Sequence, residues 1–120
     1  MIYIIDHKDS FTHNVVHQFE NFDKVRCNNF DEINESILNK AKVIVFSPGP
    51  GSPKDYPVSS KIYKKFKGKK KIVGICLGFQ QILHCEKGKI VQQNKIYHGF
   101  QSKIKVISNN SLFKKNKKFN

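Results

Sequence analysis

Apolar residues in this chain fall into short runs and helical stripes that alternate. Met1–Ile5 is an apolar run ending at once in Asp6, the pattern of a buried strand. Phe11, Val15, Val16, Phe19 and Phe22 then recur at helical spacing, with Asp9 or Ser10 expected as N-cap. Lys24–Cys27 reads as a short second strand. Ile33, Ile37 and Leu38 mark a second helix, opened by Asp31 and Glu32, whose charges suit a helix N-terminus. Ala41–Phe46 is a β-branched, buried strand that enters Ser47–Pro53, where glycine and proline forbid regular structure. Val58, Ile62 and Phe66 predict a third helix over Val58–Phe66. Lys71–Ile75 is the next buried strand and Leu77–His84 the next helix. Beyond Gly88 the pattern changes, and Lys89–Gln92, Lys95–Tyr97 and Lys103–Ser108 read as short strands.

Strands and helices that alternate with short connections imply an α/β fold, a mostly parallel sheet covered on both faces as a three-layer α/β/α sandwich. Ligands of such sheets sit at the carboxyl ends of the strands. Asp6, Ser47–Pro53 and Cys76 all lie at such ends, so three features of the sequence meet on one rim.

Length and composition narrow the function class. A chain of 120 residues is one domain's length. Its longest apolar runs, Val43–Phe46 and Ile72–Ile75, are far too short to span a membrane, and the start lacks the pattern of a signal peptide. A cytoplasmic protein is expected. Cys27, Cys76 and Cys85 are odd in number and widely spaced, with neither metal-ligand spacing nor a disulfide framework. The net charge is +13, yet Arg26 is the only arginine among 22 basic residues. Readers of nucleic acid favour arginine for its planar fork. The densest runs, Lys67–Lys71 and Lys114–Lys118, are read as solvated surface, and no nucleic-acid partner is expected.

The candidate chemistry lies in two segments. Gly74-Ile75-Cys76-Leu77-Gly78 places a cysteine between a strand and a helix in the Gly-x-nucleophile-x-Gly pattern of a nucleophile elbow. So sharp a turn brings neighbouring backbone close, so side chains two residues either side of the nucleophile must be absent. The helix N-terminus behind Cys76 favours thiolate over thiol, and the Leu77 amide is placed to donate to an oxyanion. Cys27 and Cys85 are read as ordinary buried cysteines. The second segment is Ser47-Pro48-Gly49-Pro50-Gly51-Ser52-Pro53, a stiff loop with uncrowded amides suited to an anion or a developing oxyanion. It lacks the Gly-Lys-Ser/Thr ending of a phosphate-binding loop.

These residues carry a resemblance. Gly74–Gln80 resembles the nucleophile motif of class I glutamine amidotransferases, and Ser47–Pro53 resembles their oxyanion loop. Asp6–Asn14, reading DHKDSFTHN, is similar to the signature of one branch, the small subunits of anthranilate synthase and aminodeoxychorismate synthase; His98-Gly99 matches another position of that branch. The resemblance implies a class I amidotransferase-like, flavodoxin-like domain over residues 1–120, incomplete at its C-terminus. It implies that Cys76 attacks the side-chain amide of glutamine. Gly49, Pro50 and Gly51 would contact this substrate, Gln80 would help bind it, and the Gly51 and Leu77 amides would form the oxyanion hole. Ammonia would pass to a chorismate-binding partner subunit, with no metal or cofactor in this one.

Two departures stand out. His7 and Lys8 replace the branch's usual Asn and Tyr, which points to a tuned partner surface or loop. The family's general base, a histidine oriented by a glutamate, is expected from a segment beyond Asn120. Ser111–Asn120 resembles the run just upstream of it. His84 is two helical turns, roughly 12 Å, past Cys76 and too far to replace that base. His13 and His17 fall inside the first helix, His98 reads as a turn residue, and only His7 stands on the right rim. Rival readings are a flavodoxin-like module holding an anionic ligand at Ser47–Pro53, a nucleic-acid binder driven by charge, and another cysteine enzyme sharing the elbow.

Without that base, the 120-residue chain is expected to lack glutaminase activity. The assay is glutamate release from glutamine, with and without the synthase partner, beside a Cys76→Ser control. Release that depends on Cys76 would show that a resident group serves as base, with His7 as the candidate on the rim.

Overall fold

The computed structural model describes residues 1–91 and the backbone of two short strands, Ile104–Lys105 and Lys118–Phe119. It divides into two compact units, Met1–Ile90 and Val91–Asn120. In the first, β1 (Ile2–Asp6), β2 (Val25–Asn29), β3 (Val43–Phe46) and β4 (Lys71–Gly74) form one parallel sheet in the order β2-β1-β3-β4. The helices are α1 (Thr12–Glu20), α2 (Glu35–Lys40), α3 (Pro57–Phe66) and α4 (Leu77–Cys85), with a 3₁₀ turn at Pro53–Asp55. In the second unit β5 (Ile104–Lys105) pairs antiparallel with β6 (Lys118–Phe119).

Side chains of a strand alternate between faces, and the register aligns those faces across the sheet. Ile2 and Ile4 of β1 lie beside Val43 and Val45 of β3, and this face packs against Val15, Val16 and Phe19 of α1. Tyr3, Ile5, Ile44 and Phe46 share the opposite face with Leu38 of α2, with Ile62, Tyr63 and Phe66 of α3, and with Ile82 and Cys85 of α4. The result is the expected three-layer α/β/α arrangement with helices on both faces. β1 feeds β2 on one side and β3 lies on the other, so the strand order reverses between β1 and β3. That reversal opens a crevice at their carboxyl ends. His7 leaves β1 there and Ser47 leaves β3.

Several local expectations are corrected. The N-cap of α1 is Phe11, and neither Asp9 nor Ser10 caps it. Asp9 acts earlier, accepting from the Phe11 amide at 2.8 Å. Asp6 orders the preceding loop, with Oδ1 accepting from the Lys8 amide and the Thr12 hydroxyl, each at 2.8 Å. Phe11 and Phe22, placed on the apolar stripe by spacing, are exposed because α1 begins after one and ends before the other. The second helix opens at Asn34, whose side chain accepts from Ile37 N; Asp31 and Glu32 belong to the turn before it. Val58 is exposed, and the buried stripe of α3 is Ser59, Ile62, Tyr63 and Phe66.

β4 is not the buried strand its composition suggests. It is the edge of the four-stranded sheet among the described residues, and Val73 lies on the α1 face, beyond the reach of α1. Lys89–Val91 has no regular structure, against the strand expected at Lys89–Gln92. The expected strand Lys95–Tyr97 and the His98-Gly99 pair lie outside the described residues. Of Lys103–Ser108, only Ile104–Lys105 is described, and it is a strand. Among the described residues no helix is long and apolar enough to cross a membrane.

The crevice between β1 and β3 is sealed by His7, which is completely buried. Its Nδ1 lies 3.0 Å from the Ser47 carbonyl, which can only accept, so Nδ1 carries the proton. Nε2 then accepts from the Ser59 hydroxyl at 2.8 Å. Burial pushes the imidazole pKa below its usual 6.5, outweighing the Ser47 carbonyl and the Asp6 charge, which pull upward. The unfolded chain therefore takes up this proton before the folded one does. The stability that neutral His7 contributes is complete above the ordinary histidine pKa and is lost as the pH falls from there toward the folded value. Urea unfolding from pH 7.5 to 5.5 should show the midpoint dropping with acidification, and His7→Asn should flatten that slope. An unchanged slope in the variant would place the acid sensitivity elsewhere.

Candidate active site

The turn after β4 is built by close approach. Gly74 pairs with Phe46 in the sheet register, and a Cβ on Gly74 would lie 2.5 Å from the Gly78 carbonyl. A Cβ on Gly78 would overlap the Phe46 carbonyl oxygen, which already accepts from the Ile75 amide at 3.0 Å. Both glycines are thus required by packing between the first turn of α4 and the ends of β3 and β4. Between them Cys76 takes φ 56° and ψ −110°, a conformation that costs a non-glycine residue about 1–3 kcal/mol. The turn holds Cys76 exposed, at the N-cap of α4. Leu77 is the first residue of the helix, so its amide has no carbonyl one turn back to bond. Its side chain is buried.

The loop after β3 meets this turn from the other side. A Cβ on Gly49 would lie 2.8 Å from Leu77 Cδ2 and 2.9 Å from the His7 carbonyl oxygen. Gly49 is therefore the point where loop, elbow and the end of β1 touch. Pro50 and Gly51 form the exposed crest, with Gly51 at φ 82°, and Gln80 is half-buried on α4 with its amide donating to the Cys76 carbonyl at 3.1 Å. The structure thus joins Gly49 to Leu77 and sets Cys76 and Gln80 on the same helix start.

Residues that pattern reading passed over hold the loop in shape. The Tyr56 hydroxyl donates to the Pro50 carbonyl at 2.6 Å. Asp55 Oδ2 accepts from the Ser52 amide at 2.9 Å and closes the loop's end. Gln81 is completely buried, and its amide nitrogen lies 3.1 Å from the carbonyls of both Pro53 and Tyr56. Asp55 had a signal in Ser52-Pro53-Lys54-Asp55, the capping-box spacing with proline at the first helical position. Tyr56 offered none, because its partner is a backbone carbonyl of a loop with no regular period.

His7 is on the expected rim but cannot serve as base. Both ring nitrogens are engaged and the ring is enclosed, T-stacked on Tyr56 with centroids 4.6 Å apart. Its neighbour Lys8 is exposed and pairs with Asp31 at 3.1 Å, so of the two departures only Lys8 faces outward.

A family model described as glutamine amidotransferase class-I matches residues 3–120. The chain belongs to the class-I glutamine amidotransferase family. It is 39% identical over 114 residues to anthranilate synthase component 2 of Lactococcus lactis subsp. lactis, covering 94% of this chain and 58% of that protein. It is 40% identical over 119 residues to the component 2 of Pyropia yezoensis, covering 95% and 61%. The bifunctional protein TrpGD of Thermotoga maritima is 39% identical over 108 residues, 86% of this chain and 18% of that protein. The chain thus spans about three fifths of the length of the two component 2 relatives.

The three cysteines of this amidotransferase chain differ in setting. Burial, reinforced by the Asp6 charge, pushes the Cys27 thiol up to about 11, and Cys85 is half-buried, whereas Cys76 is exposed. Alkylation by iodoacetamide, resolved by site with mass spectrometry from pH 6 to 9, should be fastest at Cys76 and slowest at Cys27. Equal rates at all three sites in folded protein would contradict a nucleophilic elbow.

Proposed function

We propose that this chain is the glutaminase part of a chorismate-aminating synthase, with Cys76 as nucleophile. The reading rests above all on one observation. The Cys76 elbow and the Ser47–Pro53 loop, separate in sequence, touch at Gly49 and Leu77. Cys76 Sγ attacks the side-chain amide carbon of glutamine, and the Gly51 and Leu77 amides receive the negative charge that develops on oxygen. Gly49, Pro50 and Gln80 hold the substrate. The C–N bond breaks, ammonia leaves, and water cleaves the thioester to release glutamate. The thiol proton and the hydrolytic water need a base. Among the described histidines, His7 is enclosed, His13 and His17 ride on α1 across the sheet, and His84 sits in the last turn of α4. The ammonia then aminates chorismate on a partner subunit, toward anthranilate or aminodeoxychorismate. The names of the component 2 relatives favour anthranilate. The protein acts in the cytoplasm, without metal, cofactor or nucleic acid.

The rival, an anion held by the loop without catalysis, is disfavoured by Asp55. Its carboxylate already occupies the loop's end on the Ser52 amide and would meet any side chain added at Gly51 at 2.5 Å.

Gly51→Val in the full-length protein would force a β-branched residue into positive φ and against Asp55. Glutamine-dependent amination should fall by about 10²–10³-fold while ammonia-dependent amination, which bypasses this subunit, is retained. Equal loss of both activities would mean that the loop serves assembly.

A further inference from the structure

We propose that His7 and Tyr56 are positioning residues that clamp the loop Ser47–Pro53 in the shape required for oxyanion stabilisation; the assignment rests on the glutaminase reading above. The clamp grips the loop at two points. At its start, the His7 amide donates to Ser47 Oγ at 2.9 Å while His7 Nδ1 donates to the Ser47 carbonyl at 3.0 Å. The Ser47 hydroxyl in turn donates to the Pro48 carbonyl at 2.8 Å. At its crest, the Tyr56 hydroxyl holds the Pro50 carbonyl. The two clamps are one unit, because the His7 and Tyr56 rings meet edge to face and both pack on Phe30. Ser59 of α3 fixes the far side of the imidazole, so the ring cannot turn away from Ser47.

The geometry makes the loop's shape sensitive to this unit. Gly49 lies against the backbone and Cβ of His7 on one side and against Leu77 on the other, with no room for a methyl group. The peptide between Pro50 and Gly51 joins the carbonyl held by Tyr56 to the Gly51 amide. Holding that carbonyl therefore aims the amide, since the peptide plane is rigid. Tyr56 acts on the proposed oxyanion donor through a single peptide bond, and His7 sets the loop's point of departure. Neither residue needs to touch substrate.

The test compares two alkylations of Cys76 in the full-length protein. A chloromethyl ketone analogue of glutamine reacts by addition of Sγ to the ketone carbon, giving an alkoxide that needs the oxyanion donors. Sulfur then shifts to the methylene: the new S–C bond forms as the C–Cl bond breaks and chloride leaves, the first S–C bond breaks as the alkoxide collapses back to the ketone, and the thiol proton goes to solvent. Iodoacetamide reacts by direct displacement of iodide and creates no alkoxide. Tyr56→Phe keeps the ring packing and removes only the hydroxyl. It should slow the ketone reaction about tenfold and leave the iodoacetamide rate within about twofold. His7→Leu should do the same or more, and His7→Asn, whose amide can still meet Ser47, should recover part of the loss. Slow alkylation of Cys27 reports that each variant is folded, and if His7→Leu is not, Tyr56→Phe decides alone. Should Gly51→Val suppress the ketone reaction while folded Tyr56→Phe leaves it untouched, the clamp is overturned. Should Gly51→Val itself have no selective effect, the oxyanion reading of the loop fails instead.

Discussion

The first turn of α4 lies directly on the carbonyl of Phe46, and the rest of the site follows from that approach. Two strands end side by side at Phe46 and Gly74, and a helix must leave the second without colliding with the first. Only residues without Cβ at positions 74 and 78 allow it. The chain between them is forced into a turn so tight that Cys76 takes positive φ and stands clear of the sheet. Because α4 is pressed onto β3, its first side chain, Leu77, lands on Gly49 in the loop that β3 feeds. A single steric condition thus exposes the thiol, frees a helix-terminal amide and joins the two motifs.

The loop opposite the elbow has no secondary structure to hold it, and the fold compensates with buried polar groups. Burying such groups is costly unless they are paired, and nearly all of these are. His7 uses both ring nitrogens and its own amide, Ser47 both donates and accepts, and Ser59 completes the chain. Gln81 contributes from α4, where the adjoining Gln80 stays half-buried. Gln81 Oε1 is the one buried side-chain nitrogen or oxygen among the described residues without a hydrogen-bond partner. A network of this kind trades stability for a defined shape. A loop of prolines and glycines needs that, because an apolar core beneath it would not distinguish one orientation of its peptides from another.

Away from the site, polar groups hold down the ends of elements. Lys70 donates to the Asn39 and Ala41 carbonyls at the exit of α2 and stacks on Phe66, so the turn before β4 is anchored to the turn before β3. Tyr63 and Lys67 both reach Glu86 and tie the end of α4 to α3. Lys67 is exposed, as composition suggests, whereas Lys70 is half-buried and part of the packing. The stem of Lys70 lies along the protein while its ammonium finds acceptors.

Periodicity determined much of this protein in advance. The strands β1, β3 and β4, the helices that follow them and the carboxyl-end rim were legible, because apolar runs and stripes report which residues must leave water. The elbow at Cys76 was legible too, because steric exclusion around a sharp turn leaves paired glycines in the sequence. What tertiary structure decided were matters of neighbourhood. Val73 is as apolar as Val45, yet only Val45 has α1 above it. Asp9, Ser10, Asp31 and Glu32 are all reasonable helix openers, yet the caps are Phe11, without a side-chain bond, and Asn34, whose side chain accepts from the Ile37 amide. By its place after β1, His7 is the one histidine on the rim where a base could stand. It is a buried clamp because β3 and α3, distant in sequence, bring Ser47 and Ser59 to its two nitrogens. Local pattern carries the free energy of leaving water, whereas the partner of a polar atom is known only once the chain has folded back on itself.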